Sequence, residues 1–307
     1  MNKLKELLQK RNTIFILAML GGLLTDYPAR WTQSLILPVL VLIMTLSVLN
    51  VPNHVFRSPR AMIAPALTGS CMTYLILGGV IIGLSFLLIK DPALRAGYIL
   101  IAVSPPAIAI IPFANMLKGD ESFTLFSIIG AYLVALPVMP LMAFLFLDIR
   151  GLNPMILVTA AGSLVLLPIV MSRLLLWRGW HKRIEPVRGL ITDWSFFVVI
   201  YTIIGLNRRI VLENPAMIVP VLAVAVLSVF VLGYLIETVG ARLRLSRKII
   251  TSLVLLGTLK NFGLAGGIAL TFFSRESALP SAVCAIFLVL EIIWLDYRHK
   301  QRGIMTP

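Results

Sequence analysis

Lys260 lies within a run of apolar residues, 251–273, that is long enough to cross a membrane as a helix. A lysine at bilayer depth costs about 2.5–3.5 kcal/mol on insertion scales, so its side chain should face protein, water or a ligand rather than lipid. Asn261 follows directly, and a cluster of glycines that includes Gly263 comes soon after. This combination predicts a helix that is interrupted at Lys260, and transporters build binding sites at such interruptions.

A second apolar run, residues 93–117, is disrupted by Pro105, Pro106 and Pro112. Each proline removes a backbone donor and opposes a straight helix. If both runs unwind near the middle of the membrane, free amides and carbonyls face each other, and half-helix N-termini supply partial positive charge for an anion. Ordinary proline kinks, or glycines that permit close helix packing, are the alternative interpretation.

The composition of the chain predicts a polytopic membrane protein. Hydrophobic residues make up 59% of the 307 residues, charged residues make up 13%, and the mean hydropathy is +0.97. The sequence contains no phosphate-binding loop, no metal-binding pair of histidines and no intramembrane pair of aspartates, so we expect neither an enzyme nor a bound cofactor or metal ion. The two cysteines lie inside apolar runs and are expected to be small core residues.

The apolar runs number ten and divide into two halves, residues 1–150 and 151–307. Because five is odd, the second half would enter the membrane from the opposite side to the first, which is the inverted repeat of many transporters. Under this division the two disrupted runs are the fourth and the ninth, and they occupy equivalent positions. The runs fall near residues 12–25, 32–50, 61–89, 93–117, 121–148, 153–177, 189–206, 215–238, 249–273 and 277–296.

The basic residues are distributed unevenly between the two sides of this arrangement. Nineteen of the 27 Lys and Arg residues fall on the side of the two termini, and seven fall on the other side. Since cytoplasmic loops hold the excess of positive charge, both termini are predicted to be cytoplasmic in a multi-pass protein of the cell (inner) membrane. The net charge of +14 then reflects topology and contact with the lipid bilayer, and no nucleic-acid partner is expected. The sequence gives no indication of an oligomeric state.

Several segments, in order along the chain, resemble the bile acid:sodium symporter family. The resemblance implies a core domain of spans 3–5 and 8–10 with crossed, broken helices 4 and 9, and a panel domain of spans 1, 2, 6 and 7. It also implies transport by an alternating-access movement between the two domains. The most specific segments are the proline-rich fourth run that ends in Lys-Gly-Asp at 118–120 and Asn-x-Gly-Leu-Ala at 261–265, and the others are 57–62, 167–175 and 277–283.

The resemblance places most ligands of the family's two sodium sites on side chains that cannot bind sodium. A hard cation needs several oxygen ligands, and at these positions only Thr124 supplies a side-chain oxygen. We therefore expect transport that does not depend on sodium. The implied positions are Gly69 in span three, Ile110 and Ile111 in span four, Thr124 and Ile128 in span five, and Leu256 and Lys260 in span nine.

Three roles are open for Lys260. Its ammonium group could permanently replace a sodium ion and donate hydrogen bonds to unwound carbonyls. It could instead exchange a proton during the cycle, because burial disfavours the charged form of a lysine. It could also bind an anionic substrate directly. Glu291, in the last span, is expected either to neutralise Lys260 or to extend to the cytoplasmic interface.

The resemblance also bears on the substrate. Among the implied substrate contacts, Ile108 is apolar and Asn261 retains a polar group, while Thr258, Ser104 and Thr124 could add hydroxyls near the crossing. We therefore expect a small or amphipathic organic anion, carried by a secondary transporter. The alternatives are a sodium-coupled symporter with relocated ligands, a relative of the auxin-efflux-like carriers, and a non-transporting membrane sensor or partner subunit of the same fold.

Overall fold

The computed structural model describes residues 11–49, 59–107, 109–146, 167–168, 170–213 and 215–301. These residues form helices joined by short connections and contain no β-strand, which confirms the all-helical prediction for this part of the chain. The main helices are α1 Arg11–Leu24, α2 Ile36–Val48, α3 Pro59–Ser70 continued by Cys71–Leu77 and Gly78–Leu88, α4a Pro92–Val103, α4b Ile110–Met116, α5 Glu121–Phe146, α6 at residues 170–177, α7 His181–Glu213, α8 Pro215–Val226 continued by Leu227–Val231 and Leu232–Arg242, α9a Arg247–Thr258, α9b Phe262–Phe272 and α10 Arg275–Gln301. A short helix, Tyr27–Thr32, and a 3-10 turn, Gln33–Leu35, connect α1 to α2.

Among the described residues, four helical segments are long and apolar enough to cross a membrane: Met62–Leu88, His181–Leu206, Ile218–Arg242 and Arg275–His299. The two parts of α5, which meet at 51°, form a fifth candidate if they are counted as one span. The bend lies directly before Pro137, whose missing N–H and bulky ring disturb helical hydrogen bonding in the preceding turn. Four to five candidate spans are compatible with a membrane-embedded protein.

Helices occupy the predicted runs one to five and seven to ten, while most of run six lies outside the described residues. α7 begins at His181, earlier than the predicted start at residue 189. The sequence boundary was set by charged residues, but a helix tolerates charge at its exposed end. An ion pair between Arg188 and Glu185, one turn apart, extends along this first part of α7.

The fourth and ninth runs each form two short helices. α4a ends at Val103 and α4b begins at Ile110, whereas α9a ends at Thr258 and α9b begins at Phe262. Pro105 and Pro106 lie in the first break. Pro112 and Gly263, which the sequence analysis also assigned to the breaks, lie instead in the first turns of α4b and α9b. Proline is tolerated in the first turn because the amide it lacks would have no helical partner there.

Two groups of helices face each other. In the first group, α7 packs against α1 and α2, and the hydroxyls of Thr32 and Thr202 hydrogen-bond at 2.5 Å. In the second group, α3 packs against α5, α8 packs against α9a, and both α4a and α9b pack against α10. A Cβ atom on Gly130 of α5 would lie 2.5 Å from the Ala66 Cα of α3, so this crossing requires glycine. α7 also contacts α10, and this contact joins the two groups.

Candidate functional site

The two helix breaks lie directly against each other. The backbone N–H of Asn261 donates to the Pro105 carbonyl at 2.9 Å, and Pro106 and Lys260 form an isolated antiparallel bridge. Prolines have no backbone N–H, so Pro105 and Pro106 offer carbonyl acceptors without adding unsatisfied donors. Unwound backbone is tolerated inside a membrane protein only when its polar groups are satisfied in this way.

Lys260 is fully buried between the two breaks. Its Nζ atom donates to the carbonyl oxygens of Ala102 at 2.7 Å and Ser104 at 2.9 Å, and it lies 4.7 Å from the centroid of the Tyr74 ring. Both carbonyls belong to the C-terminal end of α4a, where backbone acceptors lack helical partners and the helix dipole is negative. An ammonium group has three N–H donors, and two carbonyls and one aromatic face provide for all three.

Asn261 caps the second half-helix of the ninth run. Its Oδ1 atom accepts a hydrogen bond from the Leu264 backbone N–H at 3.0 Å, which fixes the first turn of α9b. Its Nδ2 atom donates to the Tyr132 hydroxyl at 3.3 Å, and that hydroxyl donates to the Pro106 carbonyl at 3.0 Å. Asn261 and Tyr132 thereby connect α5 to both breaks.

A cavity of about 290 Å³ lies beside the crossing, between the two groups of helices. This volume is close to the lower limit for small-molecule sites. Lys260, Asn261 and Gly263 line it, but the groups that contact the Lys260 ammonium, on Ala102, Ser104 and Tyr74, do not. The walls are mainly apolar and include the side chains of Phe15, Ile43, Leu46, Phe113, Phe196, Val199, Ile200, Ile203, Ala282, Ala285 and Leu288.

Polar side chains line this cavity in its interior and at its exposed end. Inside, the Ser281 hydroxyl on α10 is buried and has no hydrogen-bond partner. At the exposed end, Arg188 and Glu185 form an ion pair at 2.9 Å, with 58% of the Glu185 side chain accessible to solvent. A buried hydroxyl without a partner is unfavourable, so the Ser281 hydroxyl is available to hydrogen-bond a ligand or a water molecule in the cavity.

No protein-family model matches the chain, and no curated protein matches it.

The positions that the resemblance implies as sodium ligands lie in closely packed parts of the structure. A Cβ atom on Gly69 would lie 2.5 Å from the Ser127 Cβ, so α3 and α5 leave no room for a longer side chain there. The other apolar positions belong to the hydrophobic core or pack against it: Ile110, Ile111, Ile128 and Leu256.

The hydroxyls of Ser104, Thr124 and Thr258, which were expected near the substrate, do not line the cavity. Each one instead donates to a backbone carbonyl of its own segment, as serine and threonine commonly do in helices. Ile108, expected as a substrate contact, lies outside the described residues. The hydroxyl bonds run from Ser104 to the Ile101 carbonyl at 2.8 Å, from Thr124 to the Asp120 carbonyl at 2.7 Å and the Ser252 hydroxyl at 2.8 Å, and from Thr258 to the Val254 carbonyl at 2.8 Å.

The surroundings of Glu291 differ from both predictions, which were that it neutralises Lys260 or that it extends to the cytoplasmic interface. Its side chain is 2% exposed, so it does not extend to the membrane interface. In the described part of the chain, no ion pair joins it to Lys260, because the ammonium is directed at carbonyls on α4a. Glu291 instead lies beside the Thr258 hydroxyl, and its Oε2 atom has no hydrogen-bond partner.

Ser281 was not predicted from the sequence to be a site residue. Ser277 and Ser281 flank Pro280 and are indistinguishable by local pattern. In the structure, the Ser277 hydroxyl lies 3.2 Å from the Ser274 hydroxyl, whereas Ser281 faces the cavity. The only signal in the sequence was its position one turn after Ser277, and α10 packs against four helices, so this spacing does not specify which neighbour Ser281 faces.

Proposed function

We propose that the protein is a secondary carrier of a small or amphipathic organic anion, which works by alternating access and without sodium. The observation that carries this proposal is the cavity at the crossing of the two breaks. One wall comes from α1, α2 and α7, and the other comes from the breaks and α10. A relative movement of these two groups would open the cavity to opposite sides of the membrane.

Ten membrane spans in two inverted repeats, residues 1–150 and 151–307, are part of the same proposal. Matching irregularities support it. The fourth and ninth helices both break, and the third and eighth helices both contain a π-helical segment, at Cys71–Leu77 and Leu227–Val231. Such segments are rare and often mark functional sites, so their occurrence at corresponding positions favours a repeat.

Two long-range hydrogen bonds also correspond between the halves. The Tyr98 hydroxyl of α4a donates to the Val221 carbonyl of α8 at 2.6 Å. The Thr73 hydroxyl of α3 donates to the Leu256 carbonyl of α9a at 3.3 Å. Each bond joins the first part of a broken helix in one half to the irregular helix of the other half. These two corresponding hydrogen bonds support the two-repeat arrangement and the crossed core that the family resemblance implies.

Lys260 acts in this proposal as a fixed cation at the crossing. Its three donors face Ala102, Ser104 and Tyr74, so none is directed at a substrate in the cavity. Its charge stabilises the negative end of the α4a dipole, as a bound cation would. With apolar side chains at most of the remaining implied ligand positions, a sodium ion has few oxygen ligands here.

The cavity supports an amphipathic anion as the substrate class. Arg188 offers a planar, multiply donating group to a carboxylate or sulfonate, and its exposed pair with Glu185 is weak enough to be exchanged. The aromatic rings of Phe15 and Phe196, 5.8 Å apart, provide an apolar wall for the body of the molecule. Ser281 would hydrogen-bond a polar group at the inner end.

A thermal-shift screen of the purified full chain tests this function. The probes are small carboxylates, sulfonates and sulfated steroids, each with and without sodium and at two pH values. We expect an amphipathic anion to raise the melting temperature equally in sodium and in choline buffer, and to be taken up by proteoliposomes. A sodium-dependent shift would contradict the sodium-independent mechanism, and binding without uptake would favour the sensor alternative.

A further inference from the structure

Glu291 is enclosed by three helices at the point where α9a ends. Thr258, the last residue of α9a, places its hydroxyl beside the Glu291 carboxyl group. Gly233 of α8 faces the same point, since a Cβ atom there would lie 3.6 Å from Glu291 Oε1 and 3.2 Å from Thr258 Cγ2. A side chain at position 233 would therefore press on Thr258, while it would make only an ordinary contact with the carboxyl oxygen.

The hydrogen bonding at this point favours a carboxyl group that carries its proton. The Thr258 hydroxyl already donates its single proton to the Val254 carbonyl at 2.8 Å. Its oxygen can still accept a hydrogen bond, and a protonated Glu291 is the donor beside it. An ionised Glu291 would have acceptor oxygens only, beside a hydroxyl whose proton already goes to the Val254 carbonyl, and its Oε2 atom has no hydrogen-bond partner.

Charged groups on the surrounding helices are directed elsewhere. A buried ionised carboxylate without a cation or donors is strongly unfavourable, which again favours the neutral form. α9b carries no charged residue. Lys260, which follows α9a, donates to Ala102 and Ser104. Glu237 of α8 pairs with Arg298 of α10 at 2.8 Å and with Arg247 of α9a at 3.8 Å. Tyr98 of α4a donates to Val221, and Asp193 of α7 is itself buried.

A small cavity of about 20 Å³ lies one helical turn from this carboxyl group. Val254 and Leu295, each four residues from Thr258 or Glu291 on the same helix, line its inner side. The space is sufficient for about one water molecule. Its other side is formed by polar residues near the ends of α8, α9a and α10, namely Glu237, Arg247, Arg298 and His299.

We propose that Glu291 is a proton-binding site, and that the proton is the ion exchanged during transport. The carboxyl group holds a proton in the arrangement described here. When water from the small cavity reaches the carboxyl group, the O–H bond breaks and the proton passes to that water molecule, which leaves a carboxylate on Glu291. The coupling role rests on the proposed transport function, whereas proton binding by Glu291 does not depend on it.

Infrared spectroscopy of the purified full chain tests proton binding directly. At neutral pH, the wild type should show a carboxylic-acid carbonyl band that shifts in D₂O and is absent from Glu291→Gln. The matched control Glu237→Gln, which removes an ion-paired glutamate of α8, should keep the band. The proposal is wrong if Glu291→Gln retains the band or if the wild type lacks it. Should Glu291→Gln fail to fold, Thr258→Val should shift the frequency of the band, and an unchanged band would overturn the proposal.

Proteoliposomes that contain a pH-sensitive dye test the coupling role. Radiolabelled benzenesulfonate and a sulfated steroid are suitable probes, because strong acids do not cross the bilayer as neutral molecules. We expect a pH gradient to drive severalfold accumulation by the wild type, and Glu291→Gln to lose this accumulation while it retains substrate exchange. Equal accumulation by the two proteins would overturn the coupling role. If the wild type moves neither probe, the transport function fails, but the infrared result still decides whether Glu291 binds a proton.

Discussion

The Lys260 ammonium lies 2.7 Å from the Ala102 carbonyl oxygen, although the two residues are 158 positions apart in the chain. This hydrogen bond joins the break of the ninth run to the end of the first half-helix of the fourth. A charged donor to a buried acceptor is about twice as strong as a neutral one. The crossing of the two breaks is therefore held together by a charge that the protein supplies itself.

Replacing Lys260 by methionine should destabilise the protein by about 1–3 kcal/mol, because two buried carbonyls of α4a lose their charged donor. Thermal unfolding of the purified protein measures the loss, with Lys248→Met, which alters an exposed side chain, as the control. In transport assays, exchange and pH-driven accumulation should decline together. Selective loss of accumulation with intact exchange would instead assign the proton coupling to Lys260.

The ring of Tyr74 should contribute through its contact with the ammonium. Tyr74→Phe keeps the ring and loses the hydrogen bond from the hydroxyl to the Ala131 carbonyl, so we expect a loss of about 1 kcal/mol. Tyr74→Leu also removes the aromatic face, which should cost a further 0.5–2 kcal/mol, roughly. In a double-mutant cycle, this additional loss should disappear when Lys260 is methionine. An additional loss that persists would exclude a cation–π contribution.

Asn261 should act mainly as a helix cap. Asn261→Ala removes the acceptor for the Leu264 amide and should lower the free energy of unfolding by about 1–2 kcal/mol. Asn261→Asp keeps an acceptor at the cap and loses the donor to Tyr132, so the decrease in stability should be smaller. Chemical denaturation of both variants measures the difference. Equal losses would show that the link to Tyr132, rather than the cap, determines the effect.

Ser281→Ala should leave the ligand-free protein unchanged or slightly more stable, because the hydroxyl has no partner there. Binding of the anion found in the screen should weaken about 2- to 10-fold, the value of one hydrogen bond. Ser277→Ala, one turn earlier on α10, should not change the affinity, since that hydroxyl contacts Ser274. Isothermal titration of the three proteins decides the matter, and an unchanged affinity for Ser281→Ala would remove Ser281 from the site.

Gly69→Ala should destabilise the contact of α3 with α5. The added Cβ atom would meet Ser127 Cβ at 2.5 Å and the Ser127 carbonyl oxygen at 2.6 Å, and overpacking of this kind costs about 1–3 kcal/mol. Gly83→Ala, later in the same helix and with open space around it, should be neutral or stabilising. Melting temperatures of the two variants give the comparison. If both variants behave alike, α3 and α5 do not approach as closely as described.

The positions of the two breaks were predicted from local signals. Pro105 and Pro106 cannot donate helical hydrogen bonds, and Lys260 and Asn261 place a charge and a capping side chain within an apolar run. These properties belong to single residues and their neighbours. The extent of α7 was less predictable, because a helix continues through charged residues wherever its exposed end permits them.

The partners of the Lys260 ammonium could not be predicted, since they come from distant parts of the chain. The roles of the expected hydroxyls could not be predicted either. Ser104 and Thr258 were expected to offer hydroxyls to a substrate, yet both bond to carbonyls of their own segments. Ser281 was not distinguished from Ser277, although only Ser281 faces the cavity. The direction in which a helical side chain points depends on how its helix is rotated against its neighbours, and a local pattern does not contain that rotation.

The sequence by itself determined that the chain is an all-helical, apolar protein with a charge at an interrupted helix, because composition, proline positions and hydropathy act over short distances. Only the tertiary structure decided what that charge contacts. Packing brought Ala102, Ser104 and Tyr74 to Lys260 and enclosed Glu291 without a cation. The physical reason is that desolvation and hydrogen bonding depend on which elements meet in space, and these contacts join residues more than a hundred positions apart.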